Sequence, residues 1–296
     1  MRRLSPVVAF YCFAVLIACR DLTFEAFVDT HPLRFAAMVT TTLFVVSCLV
    51  LVARGEFRHV KFLFSTPRLT ALSIGVSFSA GAVYAITFTL IDSIGAAVFN
   101  LVDYGLAPIV TYVFGIFFFN EHYRWHRSLI FLIYAFAIWV LYGTAAIPSW
   151  HIFAFVLASP MLTALSDALT KYLLAASEDV GTYHVLFARF SLASIGLLVA
   201  VEYTTITGWN EVAIESFGYA VAFGAVPIVL LVSALRNGQL TDLAKAELLI
   251  PLISLVGGLA IRPQLLQDKF VVFGLSLLVL CVLGGSLTTA IRSRLD

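Results

Sequence analysis

The stretch "NLVDYGLAPIVTYVFGIFF", residues 100–118, contains a single charged residue, Asp103, among apolar and small side chains. Such a run is typical of a transmembrane helix, because about twenty apolar residues span the hydrocarbon core of a bilayer. The whole 296-residue chain has the same character: it is 61% hydrophobic and 12% charged, with a mean hydropathy of +1.00. Soluble domains carry roughly 25% charged residues, so the composition predicts an all-α membrane protein.

Apolar runs of this kind recur along the chain and predict about ten transmembrane helices. The predicted spans are 5–23, 31–53, 69–91, 94–119, 128–146, 149–174, 181–203, 216–236, 241–261 and 269–291. Lys and Arg indicate the orientation, because cytoplasmic loops carry an excess of both. With the N-terminus inside, twelve of the 18 Lys and Arg residues fall on the inner side and two on the outer side. We therefore expect a multi-pass protein with both termini cytoplasmic, in the plasma (inner) membrane rather than an organellar one.

Two segments resemble each other around a helix proline. "LAPIVTYVFGIFF" (106–118) aligns with "LIPLISLVGGLAI" (249–261) when Pro108 is placed on Pro251. The alignment shares Leu106 with Leu249, Val113 with Val256 and Gly115 with Gly258. Shorter matches in the same order predict two five-helix halves, 1–147 and 148–296. Because five is odd, the halves run in opposite directions through the membrane, which is an inverted repeat.

The longer stretch "AAVFNLVDYGLAPIVTYVFGIFFFNEHYRWHRSLIFLIYAFAIWVLYG", residues 96–143, resembles the fourth and fifth helices of the drug/metabolite transporter superfamily, in particular its EamA-like members. The resemblance rests on the ten-helix plan, on small residues, on Pro108, on the helix-end Glu121 and on the closing Gly143. It implies that 1–147 and 148–296 are two EamA-like repeats, although Gln264 stands where Glu121 would repeat. It also implies secondary transport of small metabolites, often export.

Two carboxylates lie inside predicted spans about one turn before a proline. Asp103 precedes Pro108, and Glu247 precedes Pro251. Each proline is a predicted helix kink, because it lacks an N–H and frees the carbonyl four residues earlier, that of Tyr104 or Glu247. Ionisable residues in transmembrane helices are costly and usually face a cavity or a partner. We therefore predict that both carboxylates approach a central substrate or proton site, and we hypothesise that Asp103 titrates during transport.

Further residues are candidates for the same substrate or proton site, namely Asn100, Tyr104, Arg189 and Lys245. Asn100 lies one turn before Asp103, on the same helix face. A membrane-embedded arginine such as Arg189 can hold a carboxylate or phosphate bidentately. A competing interpretation makes the buried carboxylates structural, in ion pairs with Arg34, Arg189 or Lys245.

Three other charged residues are interpreted as structural. Asp167 and Lys171 stand four residues apart and predict an i,i+4 ion pair on one helix. Glu121 is expected to be a helix-end charge at the membrane interface.

The sequence carries no HExxH, GxSxG, P-loop or GxGxxG motif. We therefore expect neither an enzyme, a cofactor nor a metal site, and the net charge of +1 without a basic patch argues against nucleic acid. The expected partners are a small-molecule metabolite, the lipid bilayer and protons. Small-xxx-small spacings such as Gly75/Ser79 permit close helix contacts and leave a homodimer open.

Three functions remain open at this point. The first is a secondary active transporter of a small polar or charged metabolite, with export and proton coupling as its expected mode. The second is an organellar exchanger of sugar phosphates or nucleotide sugars, which would need cationic residues in its cavity. The third is a non-transporting protein that handles lipids or assists assembly.

Overall fold

The computed structural model describes residues 5–27, 31–122, 132–133, 150–176, 180–203 and 218–261, and these are helical apart from short connections. The helices are α1 (Pro6–Phe27), α2 (Pro32–Ala53), α3 (Pro67–Ile94), α4 (Ala96–Phe119), α5 (Trp150–Ala176), α6 (Thr182–Tyr203), α7 (Val226–Leu235), α8 (Leu240–Glu247) and α9 (Leu249–Ile261). A 3-10 helix, Phe57–Phe64, joins α2 to α3, and a π-helical turn, Ala220–Ala225, leads into α7. The predicted span 269–291 lies outside the described residues, and so does 128–146 apart from residues 132–133.

Proline marks the start of the first three helices. Pro6, Pro32 and Pro67 are each the first helical residue, a position where the missing N–H has no partner to lose and φ is already helical. At α3 the preceding Thr66 adds a cap, because its Oγ1 accepts a hydrogen bond from the backbone N–H of Leu69 at 3.2 Å. Prolines at these positions end the preceding connections and fix where each helix begins.

The described helices identify a membrane protein. Six of them are long and apolar enough to cross a bilayer: Pro6–Ala26, Pro32–Ala53, Pro67–Ile94, Ala96–Phe119, Thr182–Glu202 and Leu240–Ala260. Their outer faces expose large apolar side chains, such as Phe78 at 74% and Phe117 at 76% of full exposure. Many polar side chains, Asp103 and Glu247 among them, lie instead in the interior. This distribution suits a lipid environment, where an apolar exterior carries no penalty.

Helices from the two ends of the chain pack against each other. α1 contacts α7, α8 and α9, α2 contacts α6, α3 contacts α5 and α6, and α4 contacts α5, α8 and α9. Small residues allow close approaches: a Cβ on Gly81 of α3 would lie 3.2 Å from the Cβ of Ala193 of α6. A Cβ on Gly75 would lie 3.4 Å from Leu169 Cδ1 of α5, so this part of the Gly75/Ser79 spacing serves packing within the chain.

The two helix prolines behave differently. The predicted span 241–261 is interrupted at Leu248, where α8 ends and α9 begins, three residues before Pro251. The helix stops at Glu247. Pro251 has no N–H and therefore cannot donate a hydrogen bond to the Glu247 carbonyl. By contrast, α4 continues through Pro108 from Ala96 to Phe119.

Candidate functional site

Eight buried polar or charged side chains from five helices form what we call the buried cluster. They are Arg20 and Asp21 on α1, Asn100, Asp103 and Tyr104 on α4, Asp167 on α5, Arg189 on α6 and Glu247 at the end of α8. Each is at most 5% exposed. Their fields overlap: Arg20, Asp21, Asp103 and Glu247 all act electrostatically on the Tyr104 hydroxyl. Such a concentration of charge inside a membrane protein is costly, and it makes the cluster the candidate functional site.

The first ion pair of the buried cluster joins neighbouring residues of α1. The Arg20 guanidinium donates to Asp21 Oδ1, with the Nε and one terminal nitrogen each 2.7 Å away. The same guanidinium lies over the rings of Tyr84 and Phe88, 5.7 and 5.6 Å from their centroids. Sequence reasoning did not include this pair in the site, although two adjacent opposite charges inside a predicted span were a signal for it.

The second ion pair of the buried cluster joins α5 to α6, and it corrects the predicted Asp167–Lys171 pair. Arg189 donates from one terminal nitrogen to Asp167 Oδ1 at 3.5 Å and to Thr170 Oγ1 at 3.0 Å. Lys171 instead reaches Glu121, at 2.6 Å. The i,i+4 prediction is wrong because a buried carboxylate takes the guanidinium that a neighbouring helix presents, while the lysine one turn later lies close to the end of its helix.

Asn100 and Asp103 occupy consecutive turns of α4, as the spacing predicts. The Asn100 side-chain nitrogen donates to Ser254 Oγ of α9 at 2.8 Å, which ties the two helices together. Asp103 Oδ2 receives a long hydrogen bond from Thr163 Oγ1 of α5 at 3.4 Å, and the Ser159 side chain of the same helix lies near enough to act on this carboxylate as well. Among the described residues, neither Asn100 Oδ1 nor Asp103 Oδ1 has a hydrogen-bond partner. These two oxygens are therefore acceptors without donors.

Glu247 is the most exceptional member of the buried cluster. It is 0% exposed, and no described side chain or backbone group donates to either of its carboxylate oxygens. The charged groups that act on it are the carboxylates of Asp103 and Asp167. Buried polar groups are almost always hydrogen-bonded, so an exception needs a specific explanation.

The structure brings five of the six predicted site residues into the buried cluster and leaves Lys245 outside it. Lys245 Nζ is 3.0 Å from Asp242 Oδ1, and the two side chains are 29% and 25% exposed. Lys245 lies only two residues before Glu247, which is about half a helical turn. Its ammonium consequently points away from Glu247.

Glu121 forms a second polar centre, where α4, α5 and α8 meet. Asn120 ends α4 in the left-handed region with φ of 51°, and the Glu121 N–H then donates to the carbonyl of Gly115 at 3.0 Å. This turn folds the Glu121 side chain back against Gly115, where an added Cβ would lie 2.8 Å from Glu121 Oε2. The carboxylate accepts from the backbone N–H of Leu240 at 2.8 Å and of Thr241 at 2.9 Å, besides Lys171.

The Glu121 carboxylate is therefore a cap on the first turn of α8, where backbone N–H groups have no helical partner. Burial alone would raise its pKa, but the bonds from Lys171 and from the two backbone N–H groups outweigh burial and lower the pKa below its ordinary value. Glu121 lies just past the end of α4, as expected of a helix-end charge, and it is 8% exposed and bonded to three donors. The N–H groups that bind Glu121 are about 120 residues away along the chain, so no local pattern predicts them.

A similar cap lies at the start of α4. Glu25, near the end of α1, accepts a hydrogen bond from the backbone N–H of Ala96 at 2.9 Å. Ala96 is the first residue of α4. Carboxylates thus cap the first turns of both α4 and α8, and both caps come from the end of another helix.

No known protein-family model matches this chain, and no curated protein matches it. Among solved structures, 26 chains match. One of them, described only as a crystal structure of protein, superposes with a TM-score of 0.70 at 16% sequence identity and covers 98% of each chain. At this identity the likeness concerns the fold alone: the helical arrangement described above occurs in a solved structure.

Proposed function

We propose that the protein is an EamA-like secondary active transporter, which carries a small polar or charged metabolite across the membrane. The observation that carries the proposal is Glu247, a fully buried carboxylate with no described hydrogen-bond donor, at a helix break inside a span. Such a side chain weakens the fold, since burying a charge without a partner is costly. Intramembrane carboxylates of this kind serve substrate pathways and proton relays.

The position of Glu247 along its helix supports a site near mid-membrane. It follows Leu240, the first residue of its span, by seven residues, as Asp103 follows Ala96. Seven residues correspond to roughly 10 Å along a helix axis, about a third of the way into a hydrocarbon core of roughly 30 Å. Discontinuous transmembrane helices that break near the bilayer midplane form the substrate and ion sites of many secondary transporters.

The helix contacts support two repeats of five helices. If α1, α2, α3 and α4 correspond to α5, α6, residues 218–235 and α8–α9, the contacts of α1 with α7 and with α8–α9 correspond to those of α5 with α3 and with α4. The α2–α6 and α4–α9 contacts map onto themselves. The first turns of α4 and α8, which correspond in this mapping, are both capped by a carboxylate, although Glu25 comes from the end of α1 and Glu121 from the end of α4.

The six apolar spans, together with α5 and residues 218–235, leave two spans to complete ten, at the predicted 128–146 and 269–291. In this arrangement the repeats are 1–147 and 148–296, and both termini are cytoplasmic in the plasma (inner) membrane. The Glu25 and Glu121 caps then lie on opposite sides of the bilayer. Each cap joins helices of the bundle at one end only, which suits a protein that opens to one side at a time.

Proton coupling is supported by the chemistry of Asp103 and Glu247, two carboxylates that have no ion-pair partner among the described residues. A proton that binds either of them supplies the donor and the neutralising charge that the fold lacks. The titratable and charged groups around them are Arg20 and Asp21 from α1, Tyr84 from α3, Tyr104 from α4, Asp167 from α5 and Arg189 from α6. Uptake and release of a proton at this site would accompany movement of the substrate.

The described residues give less support to a sugar-phosphate or nucleotide-sugar exchanger. An anionic substrate needs free cationic groups, but the guanidiniums of Arg20 and Arg189 are bound to Asp21 and Asp167. A phosphate at this site would have to compete with both carboxylates.

The proposal is tested by flux in reconstituted proteoliposomes over a panel of metabolites and a range of pH. Asp103→Asn removes the titratable group with little change in shape, and Asp92→Asn, an exposed aspartate of α3, is the matched control. We expect Asp103→Asn to lower the flux and to flatten its pH dependence, while Asp92→Asn behaves as the wild type. Unchanged flux and pH dependence in Asp103→Asn would refute the proton role, and a wild-type protein without flux for any solute would refute transport.

A further inference from the structure

The charges of the buried cluster do not balance. It holds two guanidiniums, Arg20 and Arg189, and four carboxyl groups, of Asp21, Asp103, Asp167 and Glu247. Arg20 binds Asp21 and Arg189 binds Asp167. Asp103 and Glu247 are left as the surplus carboxyl groups, and each acts electrostatically on the Tyr104 hydroxyl.

The hydrogen-bonding atoms of the buried cluster show a matching excess of acceptors over donors. The buried atoms without a described partner include five oxygens that can only accept while the carboxylates are ionised: Asp21 Oδ2, Asn100 Oδ1, Asp103 Oδ1 and both oxygens of Glu247. The buried groups without a described partner that can donate are fewer: Arg189 Nε within the cluster, and beside it the hydroxyls of Ser159 and Tyr84, which can donate or accept. Asn100, which is uncharged and 0% exposed, adds one more buried acceptor without a described donor.

These two observations describe the ligand that the cluster lacks. It must donate several hydrogen bonds and carry positive charge. Water donates but brings no charge, and a phosphate ester brings acceptors and negative charge, which the cluster already has in excess. A primary ammonium brings three N–H donors and one positive charge. The aromatic ring of Tyr104, which is buried, adds a face that attracts a cation and packs against its organic part.

We infer that the buried cluster is a binding site for a small organic cation with N–H donors, such as a primary amine, whose ammonium group is held by Glu247 and Asp103. The inference rests on the proposed transport function and names its substrate class. The two guanidinium–carboxylate pairs form the fixed walls of the site, because their partners are already satisfied. The ligand and protons then compete for the same two carboxylates, so each displaces the other.

The test is equilibrium binding of butylammonium to the purified protein in detergent, with butyltrimethylammonium and butyl phosphate as probes of similar chain length. Butyltrimethylammonium keeps the charge and removes every N–H donor, and butyl phosphate reverses the charge. We expect saturable binding of butylammonium, binding of butyltrimethylammonium weaker by about tenfold or more, and no binding of butyl phosphate, since each charge-assisted hydrogen bond contributes about tenfold in affinity or more.

Glu247→Gln tests the assigned residue, with Asp242→Asn as the matched control on the same helix. We expect Glu247→Gln to weaken butylammonium binding about ten- to a hundredfold and Asp242→Asn to leave it unchanged. Equal binding of both cations, preference for butyl phosphate, or unchanged affinity in Glu247→Gln would each overturn the inference. If the wild type transports a neutral or anionic metabolite and ignores amines, the transport proposal stands and the cation site falls. If the protein binds amines and transports no solute, the cation site stands and the transport proposal falls.

Discussion

The sharpest prediction concerns stability: Glu247→Gln should stabilise the folded protein. Most substitutions of fully buried residues destabilise. Glu247 differs because neither of its oxygens has a described donor and the charges acting on it are the carboxylates of Asp103 and Asp167. Gln has nearly the same shape, carries no charge, and its amide nitrogen can donate to either neighbouring carboxylate.

The size of the expected stabilisation follows from the free-energy cost of burying Glu247 in the wild type at pH 7. Keeping a glutamic acid protonated at pH 7 costs about 3.7 kcal/mol relative to its ordinary titration near 4.3, and burying it ionised costs several kcal/mol. The glutamine amide has its own desolvation cost of about 1–3 kcal/mol where it remains unpaired. The difference predicts a gain of about 1–3 kcal/mol in the free energy of unfolding.

The assay is reversible unfolding of the detergent-solubilised protein at pH 7, with Asp242→Asn as a control that should stay within about 0.5 kcal/mol. At roughly 2 °C per kcal/mol for a chain of this size, the thermal midpoint of Glu247→Gln should rise by about 2–6 °C. A loss of more than 1 kcal/mol would refute the reasoning, because it would mean that the glutamate has a stabilising partner in the folded protein.

Three further predictions concern packing and pairing. Glu121→Gln should destabilise by about 2–3 kcal/mol, since it weakens a charged cap with two backbone bonds and an ion pair. Because the folded pKa of Glu121 is lowered, this contribution is fully present above the ordinary value of about 4.3 and is lost as pH falls through the lower folded value. The deficit of the variant, measured by unfolding at pH 7 and at progressively lower pH, should therefore shrink only below about pH 4, and a deficit constant down to pH 3 would contradict it. Asp21→Asn leaves the neighbouring guanidinium buried without its ion pair and should cost about 3–5 kcal/mol, measured by unfolding; a cost below 1 kcal/mol would show that the pair is dispensable. Gly258→Ala places a Cβ 2.8 Å from the Cβ of Ala97 and should cost about 1–3 kcal/mol, whereas Gly196→Ala, with open space around it, should gain about 0.5–1 kcal/mol, and equal effects of the two would argue against the close α4–α9 contact.

Much of the helical layout could be predicted from hydropathy, because a bilayer imposes a minimum length on an apolar helix. The predicted spans 31–53 and 94–119 agree with α2 (Pro32–Ala53) and α4 (Ala96–Phe119) to within two residues. The 3-10 helix Phe57–Phe64 was missed because it is short and carries charges, so no apolar period marks it.

The break at Leu248 could not be predicted from the local sequence. Pro251 lies three residues after the break between α8 and α9, whereas Pro108 lies inside α4 without interrupting it. Whether a proline ends a helix depends on which neighbouring groups satisfy the freed carbonyl. That information lies in tertiary packing rather than in the surrounding residues.

Five members of the buried cluster could be predicted from the sequence, whereas Arg20, Asp21 and Asp167 were not assigned to it. Asp103, Asn100 and Glu247 stand out because they are polar residues inside apolar runs, and helical spacing places the first two on one face. The ion-pair partners could not be predicted from the sequence. Arg189 binds Asp167 rather than Asp103 or Glu247, and Lys171 binds Glu121 of another helix. Sequence separation carries no information about such pairs, because helix packing brings together residues 22 and 50 positions apart.

The central claim is that Glu247 is retained for transport at the expense of stability. The most direct measurement is metabolite uptake by proteoliposomes under an imposed pH gradient, with wild type, Glu247→Gln and Asp242→Asn compared at equal protein content. The account predicts uptake above empty liposomes for the wild type and Asp242→Asn, and a loss of about tenfold or more for Glu247→Gln although this variant is at least as stable. Wild-type uptake rates in Glu247→Gln would contradict the claim.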